Sequence, residues 1–255
     1  MRIGGYQKLT LIDYPGKLAS TVFTVGCSFR CPFCHNPELV FPNPSPALPL
    51  ERGGRKSSRL SPLPRGRSEE GVLEKEFFDF LKKRKGKIEG VCITGGEPTI
   101  QPDIIDFIKK IKKAGFFVKL DTNGTRPDVL KKILDLKLLD FIAMDIKNQL
   151  KKYEKTVGMK KVDKDRIRLS VDLIRNSRVP YEFRTTVVPG LHSEKDFLEI
   201  GRWLSGADRY FLQEYREGRI LDPKLKKKTK GRKIDLEKIK KSVEKYFGKV
   251  GVRSS

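Results

Sequence analysis

The chain has 255 residues, of which 37% are hydrophobic and 34% charged, and its formal net charge is +23. That length supports one sizeable core, so a single α/β barrel with tails is the starting expectation. No run approaches the roughly 18 apolar residues of a membrane span, and Met1–Tyr14 has no apolar signal-peptide core; a cytoplasmic protein away from membranes is expected.

From Leu18 onward, apolar runs of strand length alternate with amphipathic stretches, the pattern of βα units on a parallel sheet. Six strands are predicted, at Leu18–Val25, Gly90–Thr94, Phe116–Asp121, Asp140–Ile146, Tyr181–Val188 and Asp208–Gln213. Helices are predicted between them at Glu69–Lys85, Pro102–Ala114, Pro127–Lys137, Asp163–Asn176 and Ser193–Leu204, with Pro102 in a first helical turn and Gly115 as a stop. The fold class that follows is α/β, an open partial (β/α)6 barrel. Its core would span 1–221, and 222–255 would be a basic linker and C-terminal helix near Ile234–Phe247. Residues 42–67 interrupt the rhythm with six prolines and no periodicity, which reads as a mobile insertion.

The positive charge is unevenly spread. Residues 42–67 hold six Lys/Arg against one acid, and residues 216–255 hold fifteen against five, so these segments supply +5 and +10 of the total. Solvated loops and a surface helix account for this as well as a polyanionic partner does.

In βα folds the reactive groups collect after the C-terminal ends of the strands, which directs the reading to a few short segments. Cys27-Ser-Phe-Arg-Cys31-Pro-Phe-Cys34 follows the first predicted strand. Three thiolates on one loop suit an iron–sulfur cluster. A structural zinc site would need a fourth ligand, and a Cys31/Cys34 redox pair would leave Cys27 unexplained; these are the alternatives. The second strand ends in Gly95-Gly96-Glu97-Pro98, where glycines permit close approach of backbone to a ligand and Glu97 can orient a turn. The next two end in Asp121-Thr122-Asn123-Gly124 and Asp145-Ile146-Lys147.

The spacing Cys-x-x-x-Cys-x-aromatic-Cys after the first strand, with Phe33 at the aromatic position, resembles the radical S-adenosylmethionine (SAM) superfamily. The resemblance implies one [4Fe–4S] cluster ligated by Cys27, Cys31 and Cys34, with SAM on its open iron and reductive cleavage to methionine and a 5′-deoxyadenosyl radical. Gly95, Gly96 and Glu97 resemble the element that meets the methionine amino group. Asp121, Thr122, Asn123 and Asp145, Ile146, Lys147 resemble the corresponding elements of glycyl-radical-enzyme activases of the pyruvate formate-lyase type, which implies contacts to SAM and a monovalent cation beside its carboxylate. Phe33 and His35 are further expected cofactor contacts. Tyr6–Pro15, His35-Asn36-Pro37, Phe183–Gly190 and Phe211-Leu212-Gln213 resemble the anaerobic ribonucleoside-triphosphate reductase activating group more loosely.

With one cysteine outside the motif, no second four-cysteine cluster can be built, which argues against superfamily branches that need one. Cys92 reads as a small buried hydrophobe. Arg184 reads equally as a ligand for a carboxylate of SAM or substrate and as the partner of a core Asp. His192 either faces the strand ends or terminates a turn, and Trp203 and Leu204 fit a buried helix face. The leading expectation is an activase that makes a glycyl radical on a partner enzyme, anaerobic ribonucleotide reductase foremost, with a flavodoxin- or ferredoxin-like electron donor. The alternative is a radical SAM enzyme acting on RNA or a small molecule; nucleic acid is the less favoured partner.

Overall fold

The computed structural model describes residues 1–41 and 72–253, so the predicted insertion at 42–67 lies outside the described residues. The chain divides into two compact units. The first comprises Met1–Ser28, Glu38–Asp121 and Lys131–Phe141, and the second Phe29–Pro37, Thr122–Leu130 and Ile142–Ser255.

In the first unit, β1 (Ile3–Thr10) runs antiparallel to β2 (Ala19–Thr24), which is parallel to β3 (Gly90–Gly95), itself parallel to β4 (Phe117–Thr122). The register sets Cys92 beside Thr21 on one side and Lys119 on the other. Val91, Cys92, Ile93, Val118 and Leu120 are fully buried, as expected for parallel strands covered on both faces. Helix α1 (Val72–Lys83) places Phe77 5.3 Å from the Tyr6 ring of β1 and 5.9 Å from Phe107 of α2 (Ile104–Lys113). Along α2 the buried Ile104, Phe107, Ile108 and Ile111 recur at the spacing of one helix face. The cap is Asp103, so Pro102 stands before the helix and not in its first turn. Gly115, at φ +90°, supplies the expected stop. Helix α3 (Pro127–Asp135) follows β4 in the chain.

In the second unit, β5 (Phe141–Asp145), β6 (Tyr181–Val187), β7 (Ala207–Glu214) and β8 (Phe247–Arg253) are parallel in that order. Between them come α4 (Tyr153–Val157), α5 (Lys164–Arg175), α6 (Glu194–Trp203), α7 (Pro223–Thr229) and α8 (Leu236–Val243). Ser193 and Asp196 form a capping box on α6, and Leu204 is buried while Trp203 is only half-buried.

All six predicted strands form, and β1 and β8 are additional. Both carry two glycines and a mixed polar pattern, so their own propensity is weak and pairing with β2 and β7 is what makes them strands. Residues 222–255 are likewise more than a linker and a helix. Part of the expected linker is α7, which Asp222 caps and which buries Leu225 and Thr229. Arg253 of β8 makes a two-pronged ion pair with the buried Glu182 of β6, at 2.6 and 2.7 Å, which fastens the C-terminal strand to its unit. Among the described residues, no helix is long and apolar enough to cross a membrane.

Candidate active site

Five of the expected site residues, Cys27, Gly95, Gly96, Glu97 and Asp121, belong to the first unit. The amides of Gly96 and Glu97 donate to Thr24 O and Gly26 O at 2.9 and 2.8 Å, while Cys27 N–H donates to Val40 O at 3.1 Å. A Cβ on Gly95, at φ +112°, would lie 2.4 Å from the Thr24 nitrogen, and one on Gly96 would lie 1.9 Å from Gly26 O. These glycines are therefore required by close approach of β3's end to the turn after β2, and not by approach of a ligand alone as their sequence suggested. Glu97 is buried and caps the 3-10 turn Pro98–Ile100, accepting the Thr99 amide at 3.1 Å and the Thr99 hydroxyl. Its orienting role is thus filled within the turn.

Asp121 is buried at the end of β4 and forms an ion pair with Lys119, two residues earlier on the same face of the strand. Lys119 is 1% exposed, and its Nζ also reaches Cys92 Sγ at 3.6 Å. Cys92 is buried as expected, with this lysine as its polar neighbour.

The second unit holds Cys31, Phe33, Cys34, His35, Thr122, Asn123, Asp145, Ile146 and Lys147. Here the cysteine loop is pinned by its backbone. Arg30 N–H donates to Val157 O at 2.9 Å, Cys34 N–H to Cys31 O at 3.0 Å, Leu221 N–H to Cys34 O at 3.1 Å and Asp222 N–H to Pro32 O at 3.0 Å. Gly158, the left-handed C-cap of α4, sits so close that a Cβ would lie 2.3 Å from Arg30 O. Phe33 is buried. The His35 ring stacks on Tyr215 at 5.8 Å; burial keeps this imidazole's pKa below the ordinary value despite a hydrogen bond to the Arg219 backbone.

Thr122 and Asn123 serve their own turn. Thr122 Oγ1 accepts the Gly124 amide at 3.1 Å, and Asn123 Oδ1 accepts the Thr125 amide and hydroxyl at 3.1 and 2.8 Å. Asp145 accepts from Arg184 Nε at 2.6 Å and from Lys147 Nζ at 3.0 Å, so the acid-pairing reading of Arg184 is met in the structure. Burial would raise the Asp145 pKa, but the two cations hold it well below the carboxylate range. For Lys147, burial would lower the pKa, yet Asp145 and the Cys31 sulfur raise it above the ordinary lysine value. Ile146 is buried, with its amide on Arg184 O at 2.9 Å and its carbonyl on the Thr185 hydroxyl at 2.7 Å. Lys147 N–H donates to Tyr153 Oη at 3.3 Å, and the Lys147 carbonyl meets His192 Nε2 at 2.8 Å. Burial lowers the His192 pKa, so a neutral imidazole is locked in the turn it terminates.

Three residues missed in the sequence belong here. Lys119 was legible as a charge inside a strand that ought to be buried. Tyr153 and Tyr215 carried no such signal, because one opens the short helix α4 and the other stands in the loop after β7.

The chain has four cysteines, Cys27, Cys31, Cys34 and Cys92. Three of them on one loop, with the Lys147 ammonium close enough to feel the Cys31 sulfur, are the donor chemistry an iron–sulfur cluster takes. The Tyr215 hydroxyl, beside His35, is a buried polar atom without a hydrogen-bond partner among the described residues, as a ligand-facing group would be.

Residues 21–204 match the family model of the radical SAM superfamily, and the chain belongs to that superfamily. Over 99% of its length, and 95% of the relative's, it is 30% identical to a Methanocaldococcus jannaschii protein named for glycyl-radical enzyme activation. The pyruvate formate-lyase-activating enzyme of Clostridium pasteurianum is 32% identical over 58% of this chain and 52% of its own, so the match spans about half of that relative. The structure of Streptococcus suis SuiB bound to S-adenosylmethionine aligns at a TM-score of 0.55 over 90% of this chain and 48% of SuiB, at 17% identity, and so shares its fold. The fold class is α/β with the open partial barrel of this superfamily, and the chain is an enzyme whose cofactors are a [4Fe–4S] cluster and SAM.

Proposed function

We propose that this enzyme generates a glycyl radical on a partner protein and that the partner is an anaerobic ribonucleotide reductase or another glycyl radical enzyme of the cytosol. The observation that carries this reading is the end-to-end likeness to the archaeal activating enzyme, joined to the single three-cysteine motif. Cys27, Cys31 and Cys34 would hold the cluster, and Gly95, Gly96, Glu97, Asp121, Thr122, Asn123, Asp145, Ile146 and Lys147 would frame SAM, with Phe33 and His35 beside it. When bound, the reduced cluster supplies the electron that reductively cleaves SAM.

The protein's own residues set charge and position. Lys147 and Arg184 outnumber Asp145, so this strand end carries a positive excess suited to a carboxylate. The neutral His192 and Tyr153 hold the Lys147 backbone, which fixes where that charge stands. A small flavin or iron–sulfur protein would donate the electron.

The test is anaerobic reconstitution followed by reduction with SAM and the partner. One four-iron cluster per chain and a glycine-centred EPR doublet on the partner are expected. Cys31→Ala should abolish the cluster and Cys92→Ala should keep it. Stimulation of 5′-deoxyadenosine formation by RNA, with no doublet on any glycyl radical enzyme, would replace this reading with the RNA-modifying one.

A further inference from the structure

The resemblance to glycyl-radical-enzyme activases implied that Asp121 and Asp145, each at a strand end, help hold a monovalent cation beside the SAM carboxylate. The structure gives each acid a cation of its own from within its own unit. Asp121 is paired with Lys119, and Asp145 with Lys147 and Arg184. We propose that Lys119 is a positioning residue that takes the place of the monovalent cation at Asp121, so that this enzyme binds SAM without potassium or sodium.

The strand geometry explains why a lysine can do this. Residues 119 and 121 project from the same face of β4, and the four-carbon stem of Lys119 turns its ammonium onto the carboxylate two residues on. The lysine is buried to 1% exposure, so the charge is not a solvated surface lysine that happens to lie near an acid. Burying an ammonium requires a matched partner and further polar contacts, and Asp121 and the Cys92 sulfur are both in place. Cys92 is brought there by the β3–β4 register, in which it sits directly beside Lys119. An ammonium and a potassium ion are both compact monovalent cations. The covalently tethered one needs no capture from solution, and a buried pair is screened by salt much less than an exposed one.

This inference rests on the reading that Asp121 frames SAM, and the experiment separates the two. SAM affinity of the reconstituted enzyme is measured calorimetrically in tetramethylammonium chloride and in potassium or sodium chloride at equal ionic strength. The wild-type dissociation constant is expected to agree within twofold across the salts. Lys119→Met should weaken binding about tenfold in tetramethylammonium, and potassium or sodium should restore most of it by occupying the vacated charge position. Restoration should vanish in Lys119→Met/Asp121→Asn.

Wild-type binding that needs potassium or sodium overturns the proposal outright, and that arm stands even if the lysine variant does not fold. An unchanged Lys119→Met, or a loss that neither ion restores, reduces Lys119 to a packing residue and overturns it as well. If Asp121→Asn alone leaves SAM affinity unchanged, the placement of SAM at this strand end fails first, and Lys119 has no acid to serve there.

Discussion

The ends of β4 and β5 pose the same electrostatic problem and solve it differently. At β4 a carboxylate and a lysine share one strand face, and both are buried, the lysine almost completely. At β5 the carboxylate is only partly covered and takes two cations, one from two residues further on and one from the neighbouring strand β6. The first arrangement is a pair drawn from one strand, closed over by burial. The second is redundant and leaves net positive charge. A closed pair is structural insurance that fails all at once, whereas a redundant one can give up a cation to a ligand and keep the acid satisfied.

The largest expected effect breaks the closed pair. Lys119→Ala leaves Asp121 buried without its ammonium, and removing one member of a buried pair typically costs about 3–5 kcal/mol. Urea unfolding of the anaerobic apoprotein should show a loss of that order. Lys147→Ala should lose clearly less because Arg184 still covers Asp145. Equal losses at the two sites would erase the contrast.

A smaller effect sharpens the β5 side through pH. The folded pKa of His192 lies below its unfolded value, so the unfolded chain binds the additional proton first. The stability that neutral His192 contributes is therefore present above about pH 6.5 and is lost as pH falls toward the folded value. The melting temperature should drop on acidification across this window in the wild type, and His192→Gln should flatten that limb of the profile. A wild-type limb identical to the variant's would show that the imidazole does not titrate with unfolding.

The smallest effect belongs to a pair outside both strand ends. Asp128 has its pKa lowered to about 2, chiefly by its hydrogen bonds from Arg126, but the pair is largely exposed. Solvent screening reduces such pairs to less than about 1 kcal/mol. Asp128→Asn should therefore shift the urea midpoint only slightly, and a loss like that of Lys119→Ala would mean that burial is not what separates strong pairs from weak ones in this protein.

The sequence made the βα rhythm legible because Val91-Cys92-Ile93 and Phe141–Met144 are apolar runs that only a doubly covered strand explains. The cysteine loop was legible for a different reason: its chemistry is written in spacing. What escaped was set by partners distant in sequence. Gly96 read as a glycine for close approach of a ligand, and the structure adds a second demand, since Gly26 O lies 1.9 Å from where its Cβ would stand. Arg184 gave two equal readings until the β5–β6 register laid it beside Asp145. β8 has too little propensity to announce itself, and the Glu182–Arg253 pair that fastens it spans 71 residues of chain.

The pinned cysteine loop carries a consequence for recovery from oxidation. A loop that must fold around its metal loses backbone freedom at each loading, at a cost of roughly 1–2 kcal/mol per residue fixed. In this protein Arg30, Cys34, Leu221 and Asp222 hold the backbone around Cys31 and Cys34 through hydrogen bonds that involve no thiol. These bonds do not depend on iron, so most of that ordering should persist in the apoprotein, as protection of the Arg30 and Cys34 amides from hydrogen exchange after iron removal would show. Air that strips the iron would leave a folded receptacle behind, and repair becomes resupply of iron and sulfide, with no refolding of the chain.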